Sequence, residues 1–403
     1  MKIINRIRKA NVGRDPERLA MKYAALRTTP FVFLRGTCHL FYDRLPKSGI
    51  FTSSPSVWCC GDLHLENFGS YKGDNRLAYF DINDFDEAAM APATWELSRF
   101  IVSILVAAPS LGLSPESATT LAERFIDGYA AALALGKARW VERETSSGMV
   151  GQLLEQVRLR SRVDFLNKRT QKKGRQRRFR LDDKKLLPVS DEQRHKMHTF
   201  IDTFAQTQAQ PEFYKVLDIA RRVAGTGSLG VERYAILVAG KGSPDQNYLL
   251  DMKQALPSSM AGHLGRLQPQ WHHQAERVVA LQRRMQAVSI AFLHAVELGK
   301  QSYVLRALQP IEDRVPLTGQ KHHLDHLIGV VSVMGQCVAW AQLRSAGRDG
   351  SAIADALIDF SRQKKWRSKL LPACTELAAD VHQDWAQYCE AYDDGVFRLD
   401  VPD

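Results

Sequence analysis

Two short stretches near the start of the chain concentrate polar chemistry. CGDLHLENFG (60–69) carries an Asp, a His, a Glu and an Asn, and FDINDFDEA (80–88) comes soon after it. Asp62 and Asn67 stand five apart; Asp81 comes fourteen residues after Asn67, with Asp84 a second candidate inside NDFD. Phosphoryl transfer to a hydroxyl asks for such a set. One carboxylate must orient the acceptor and take its proton, and oxygen ligands for Mg2+ must lie close by. The HRDxxxxN loop of kinases has the same offset between Asp and Asn. On this reading Asp62 is the catalytic base, while Asn67 with Asp81 or Asp84 holds the metal. GDLH also fits the GDxH fragment of metallophosphoesterases, but that fold needs a later GNH element, and the chain has no Gly-Asn dipeptide. His64 is therefore expected to shape its loop by hydrogen bonding.

The other half of such a machine must bind the phosphate donor. Gly225, Thr226, Gly227, Ser228, Leu229 and Gly230 form GxGxxG, a weak signal alone, because dinucleotide folds and kinases both use glycine turns against phosphates. The element after the turn separates them. A dinucleotide fold needs a helix directly after the glycines, whereas VERYAILVAG alternates and is rich in strand formers. Strand, glycine turn, strand is the kinase arrangement. It predicts a lysine on the next strand, supplied by Lys253 in NYLLDMKQA, and a carboxylate on a later helix, supplied by Glu276. Singly, these would be a strand-end lysine and a helix-face charge. Arg35, in FLRG, is expected either to pair with a carboxylate inside the fold or to contact phosphate.

The elements that must hold these groups can be read in outline. At 403 residues, 45% hydrophobic and 25% charged, the chain has an ordinary globular composition and is long enough for two lobes. No apolar run approaches the roughly 20 residues of a membrane helix, and the N-terminal stretch lacks a signal-like apolar core, so a cytoplasmic protein is expected. Six scattered cysteines without a CxxC pair predict free thiols. A hairpin is predicted around Lys72-Gly73-Asp74-Asn75, helices from 93 to 160, a helix capped by Ser190, strands around the glycine turn and near 301–315, and helices again from 322 to 395. Between Arg158 and Lys185, thirteen Lys and Arg face three Asp (Asp164, Asp182, Asp183), a local excess of ten within a net charge of +11. Such a run is expected as a solvated loop, or else as a surface for an acidic acceptor or a nucleic-acid backbone; few aromatics interleave it, which disfavours base stacking.

These motifs carry a resemblance. GDLHLENFGSYKGDNRLAYFDINDFDEA with WELSRF is similar to the HGDLHPGN…IDWGDA…DLARL signature of aminoglycoside and choline phosphotransferases in the protein-kinase-like superfamily, with Cys60 in place of their His. More closely, FVFLRG, GDLHLENFG, FDINDFDEA, RRVAGTGSLGVERY and ERVVALQ together resemble the bacterial family called domain of unknown function 2252, from about 15 to about 395. The resemblance implies an α+β, kinase-like, two-lobed fold that binds ATP and Mg2+. In ordinary kinases the glycine loop precedes the catalytic loop; here Asp62 and Asn67 come more than 150 residues before Gly225. A circular permutation is therefore expected. Its parts would be 1–210 with the basic insert, a nucleotide lobe at 211–318, and helices at 319–403 completing the helical lobe. The expected activity is phosphate transfer to an unidentified, acidic small-molecule or protein acceptor. AMP transfer on the same scaffold, or a non-catalytic nucleotide- or nucleic-acid-binding protein, are the alternatives.

Overall fold

The computed structural model describes residues 2–174, 176–182, 184–265, 268–309, 313–317 and 324–399. It is a mixed α+β protein. The expected hairpin forms from Phe68–Lys72 and Ala78–Ile82, which pair antiparallel with Gly69 opposite Asp81. The predicted helical region resolves into Ala93–Ala107, Pro115–Ala134 and Gly148–Leu159. Two stretches, Ala93–Leu111 and Leu324–Ser345, are long and apolar enough to cross a bilayer, but 72% and 56% of their windows are buried within the fold. Their apolar surface goes into packing. A Cβ on Gly335 would strike the Phe125 carbonyl, so the helix Leu324–Ser345 lies almost backbone to backbone against Pro115–Ala134.

Six strands form the main sheet in the order 294–298, 301–307, 248–254, 233–238, 216–222, 186–187. Arg233–Val238 is buried along its whole length, as a β-branched and aromatic central strand should be. Its side chains alternate between two cores. Tyr234, Ile236 and Val238 pack against Met197 and Ile201 of the helix Asp191–Gln206, whereas Ala235 and Leu237 pack against Leu166, Phe179 and Leu186. Each fully buried aliphatic contributes roughly 1.5–3 kcal/mol. The cap expected at Ser190 is present: its hydroxyl accepts from Gln193 N–H, and the Gln193 side chain returns to Ser190 N–H.

Two expectations about organisation change. The basic stretch is solvated on its charged side, as expected, but it is not all loop: Thr170–Lys173 pairs with Gln176–Phe179, Leu186–Leu187 adds to the sheet edge, and the segment's apolar residues cover one sheet face. Asp183, counted in that stretch, lies outside the described residues. The β-rich unit therefore starts near residue 162 rather than 211, because Leu166, Met197 and Ile201 bury against the sheet. The last helical region is described from Leu324, so its expected start at 322 lies outside the described residues. Free thiols are found: five of the six cysteines are buried and Cys389 is half-buried.

Candidate functional site

The loop after Ser56–Cys59 is built on Gly61, whose φ of +86° favours glycine and whose missing Cβ lets the Glu87 carbonyl approach. Glu96, on the helix Ala93–Ala107, accepts from Cys60 N–H at 2.5 Å, and Arg99, one turn later, reaches Asp62. Arg99 Nη2 and Nε lie 2.6 and 3.1 Å from Asp62 Oδ1, and Nη2 also donates to Leu34 O at 2.7 Å. The guanidinium is fully buried, while the Asp62 side chain is 22% exposed. Although burial alone would lower it, the charge of Asp62 and its hydrogen bonds hold the Arg99 guanidinium firmly protonated.

Asn67 straps this loop to the acidic one. Its Nδ2 donates to the carbonyls of Asp62 and Asp84 at 3.1 and 3.2 Å, and its Oδ1 accepts Asp84 N–H at 2.8 Å. The expected metal ligand is thus engaged in holding Asp84. His64 is buried and kept neutral, first by burial and then by Arg35, Arg314 and Arg99; its Nδ1 accepts Glu66 N–H at 3.1 Å. Arg35 pairs with Glu66 Oε2 at 2.6 Å, and Arg314 meets the same oxygen at 2.7 Å. Of the two readings for Arg35, the pairing is realised, and the residue also lines a cavity shared by both halves of the chain.

That cavity, open to solvent, gathers most of the expected residues. Asp62, Asn67, Asp84 and Asp86 line one side, and Gly225, Thr226, Gly227, Ser228 and Lys253 the other. The glycine turn sits between the strands Val216–Arg222 and Arg233–Val238, as expected, and Lys253 lies on the next strand, Tyr248–Gln254, opposite Arg233. The turn is pinned from the N-terminal region: Arg14 Nη1 donates to the carbonyls of Gly227 and Leu229 at 2.7 Å, and Lys22 Nζ donates to Gly227 O at 3.0 Å. Gly230 is absent from the cavity wall; its carbonyl accepts Asp15 N–H at 2.9 Å.

The carboxylates differ from expectation in two ways. Asp81 does not line the cavity: it is buried, its Oδ1 accepts Ile82 N–H at 2.9 Å, and its Oδ2 meets Ala287 N–H and Arg344 Nη2, each at 3.1 Å. Asp84 faces the cavity instead. The expected Lys253–Glu276 pair is also not formed. Lys253 Nζ pairs with Asp86 and lies 3.9 Å from Asp84, whereas Glu276, in the first turn of the helix Gln274–Met285, accepts His272 N–H at 2.8 Å. Its neighbour Arg277 reaches the site, donating to the carbonyls of Ala88 and Asp86 at 2.6 and 2.8 Å.

Asp84 and Asp86 are driven apart electrostatically. Burial raises both, but Lys253, Arg306 and Arg233 with Asp86 N–H hold Asp84 below the usual carboxylate range, while burial and the Asp84 charge push Asp86 above it. Two crowded carboxylates on a polar cavity are groups that could hold a hard cation. Among the described residues no three His, Cys, Asp or Glu side chains form a cage.

Sequence reading missed Arg99, Asp86, Glu87 and Arg277, all at or against this cavity. WELSRF and FDEA contain three of them, and ERVVALQ the fourth. Comparison with known proteins gives one result: residues 14–391 match the model of a family described as "Uncharacterized protein conserved in bacteria (DUF2252)". No curated protein and no solved structure matches.

Proposed function

We propose that this chain, which belongs to the DUF2252 family, is an ATP- and Mg2+-dependent phosphotransferase with a circularly permuted, kinase-like architecture. The observation that carries this reading is the meeting of Asp62, Asp84, Asp86 and Lys253 with the glycine turn on one cavity, from segments about 140 residues or more apart. A glycine turn between two strands, a lysine on the third and a helix after it are the parts of a kinase nucleotide lobe.

In this reading Gly225 to Ser228 cover the phosphates of ATP, and Lys253 exchanges its aspartate partners for phosphate oxygens. Asp84 and Asp86 hold Mg2+, which when bound neutralises charge on the phosphates. Asn67 and Arg277 fix the backbone that carries those two aspartates. Asp62, held by Arg99 through Oδ1, orients the acceptor hydroxyl and takes its proton. The acceptor oxygen bonds to the γ-phosphorus as the bond from that phosphorus to the β-phosphate oxygen breaks, and ADP leaves. Catalysis is then mostly positioning and charge neutralisation.

Calorimetric titration with MgATP tests the binding half of this reading. Wild type is expected to bind, Lys253→Met to bind at least about tenfold more weakly, and Asp84→Asn to lose the Mg2+ dependence. Absence of MgATP binding by the wild type would sink it.

A further inference from the structure

A second, larger recess adjoins the site, sharing Arg35, Glu66, Asn67, Asp84, Arg314 and the start of the glycine turn with it. Nine arginines and lysines but only three carboxylates line it. On the sheet side, Arg222 and Arg233 meet the single buried Asp251 Oδ2 at 2.8 and 2.5 Å, and Arg306 stands 4.0 Å away. Asp251 alone contacts this trio, while Asp84 on the cavity wall also draws on Arg233 and Arg306. Burial, together with Arg233 and Arg306, outweighs Asp251 and holds Arg222 down to about 10. On the facing side the basic insert contributes Lys168, Arg180 and Lys185. The Lys168 and Lys185 side chains are both exposed, and Lys185 lies near Asp182, whose carboxylate it helps to draw down.

We infer that this cavity binds a small polyanion, and that the acceptor of the transfer is itself a phosphorylated small molecule. Polyanion binding stands on the charge of the walls alone; the role as acceptor rests on the phosphotransferase reading. Guanidiniums and ammoniums facing each other across a recess suit a cluster of phosphate oxygens, which arginine forks and lysine point charges recognise. A nucleic-acid strand would want a stacking platform, and Phe179 is the one aromatic lining the cavity among the described residues. The basic insert, which dominates the net charge of the chain, is thereby the acceptor-binding wall.

The test is calorimetric titration with inorganic tripolyphosphate, with and without saturating MgATP, of wild type and of a Lys168→Ala/Lys185→Ala double variant. Tripolyphosphate is expected to bind the MgATP-loaded protein, and the double variant to bind it at least about tenfold more weakly with MgATP affinity and melting temperature unchanged. Full competition by MgATP would give the cavity to the nucleotide and overturn the acceptor assignment. An unaltered affinity in the double variant, no tripolyphosphate binding, or displacement by a short single-stranded oligonucleotide that binds more tightly would each overturn the inference. Should MgATP itself not bind while tripolyphosphate does, and does so through the two lysines, the nucleotide reading fails and the polyanion cavity stands.

Discussion

Arg99 Nη2 lies 2.6 Å from Asp62 Oδ1, joining a fully buried guanidinium to the carboxylate at the cavity mouth. The fork fixes the orientation of the Asp62 carboxylate. Arg99→Lys keeps the charge but loses the two-point hold, so kcat should fall by about 10²-fold with little change in nucleotide affinity. Arg99→Ala removes one partner of a buried pair and should also cost about 3–5 kcal/mol of stability, measurable by urea unfolding.

Asp81 and Asp84 should separate cleanly in a paired experiment. Asp81 is spent on Arg344 and two backbone N–H groups away from the cavity. Asp81→Asn should therefore lower the melting temperature and leave Mg2+-dependent nucleotide affinity within about twofold, while Asp84→Asn should do the reverse. Equal loss of Mg2+ dependence in both would contradict this division.

The aspartate pair predicts a pH dependence. Because Asp86 is raised by burial and by Asp84, the folded protein holds that proton more tightly than the unfolded chain does. Its contribution to stability is present at low pH and is lost as pH rises through the folded value. Binding a cation needs Asp86 ionised. MgADP affinity, titrated from about pH 5 to about pH 8, should therefore rise with pH and then level off. An affinity that falls over that interval would count against the pair as the cation site.

Asp251 tests the three-arginine cluster. Burial would raise it, but Arg222, Arg233 and Arg306 hold it far below the ordinary carboxylate range. A lowered carboxylate stabilises the fold above its unfolded value, and that stabilisation goes only as pH falls through the folded one, so it persists well into acid. Asp251→Asn should cost about 3–5 kcal/mol near neutral pH by leaving three guanidiniums without their shared carboxylate. Added tripolyphosphate should restore part of that loss.

Much of the site was legible because it is local. The Asp62–Asn67 spacing, the strand on either side of the glycine turn, the strand bearing Lys253 and the helix beginning near Glu276 all come from short-range pattern. Which carboxylate meets Lys253 is not local: Asp86 lies 167 residues away, and nothing in periodicity distinguishes it from Glu276. The exchange of Asp81 for Asp84 has a similar origin. Asp81 sits inside the strand Ala78–Ile82 with its side chain directed to Arg344, whereas Asp84 is past the strand end, where the chain turns into the cavity. The basic stretch misled for another reason. Its charge density reads as solvated chain, but Leu166, Phe179 and Leu186 are enough to seat it on the sheet, and buried Arg177 is satisfied by Asn167, Asp245 and the Pro244 carbonyl.

The central claim is that a phosphoryl group moves from ATP to an acceptor through Asp62 and Asp84. Its most direct measurement is label transfer from γ-labelled ATP, with Mg2+, into a metabolite and protein extract, run beside α-labelled ATP. The account predicts that wild type transfers the γ label to a discrete product, that Asp62→Ala and Asp84→Ala abolish transfer while remaining folded, and that the α label stays in nucleotide. Transfer of the α label instead, or no γ-label transfer to any acceptor or to water, would contradict it.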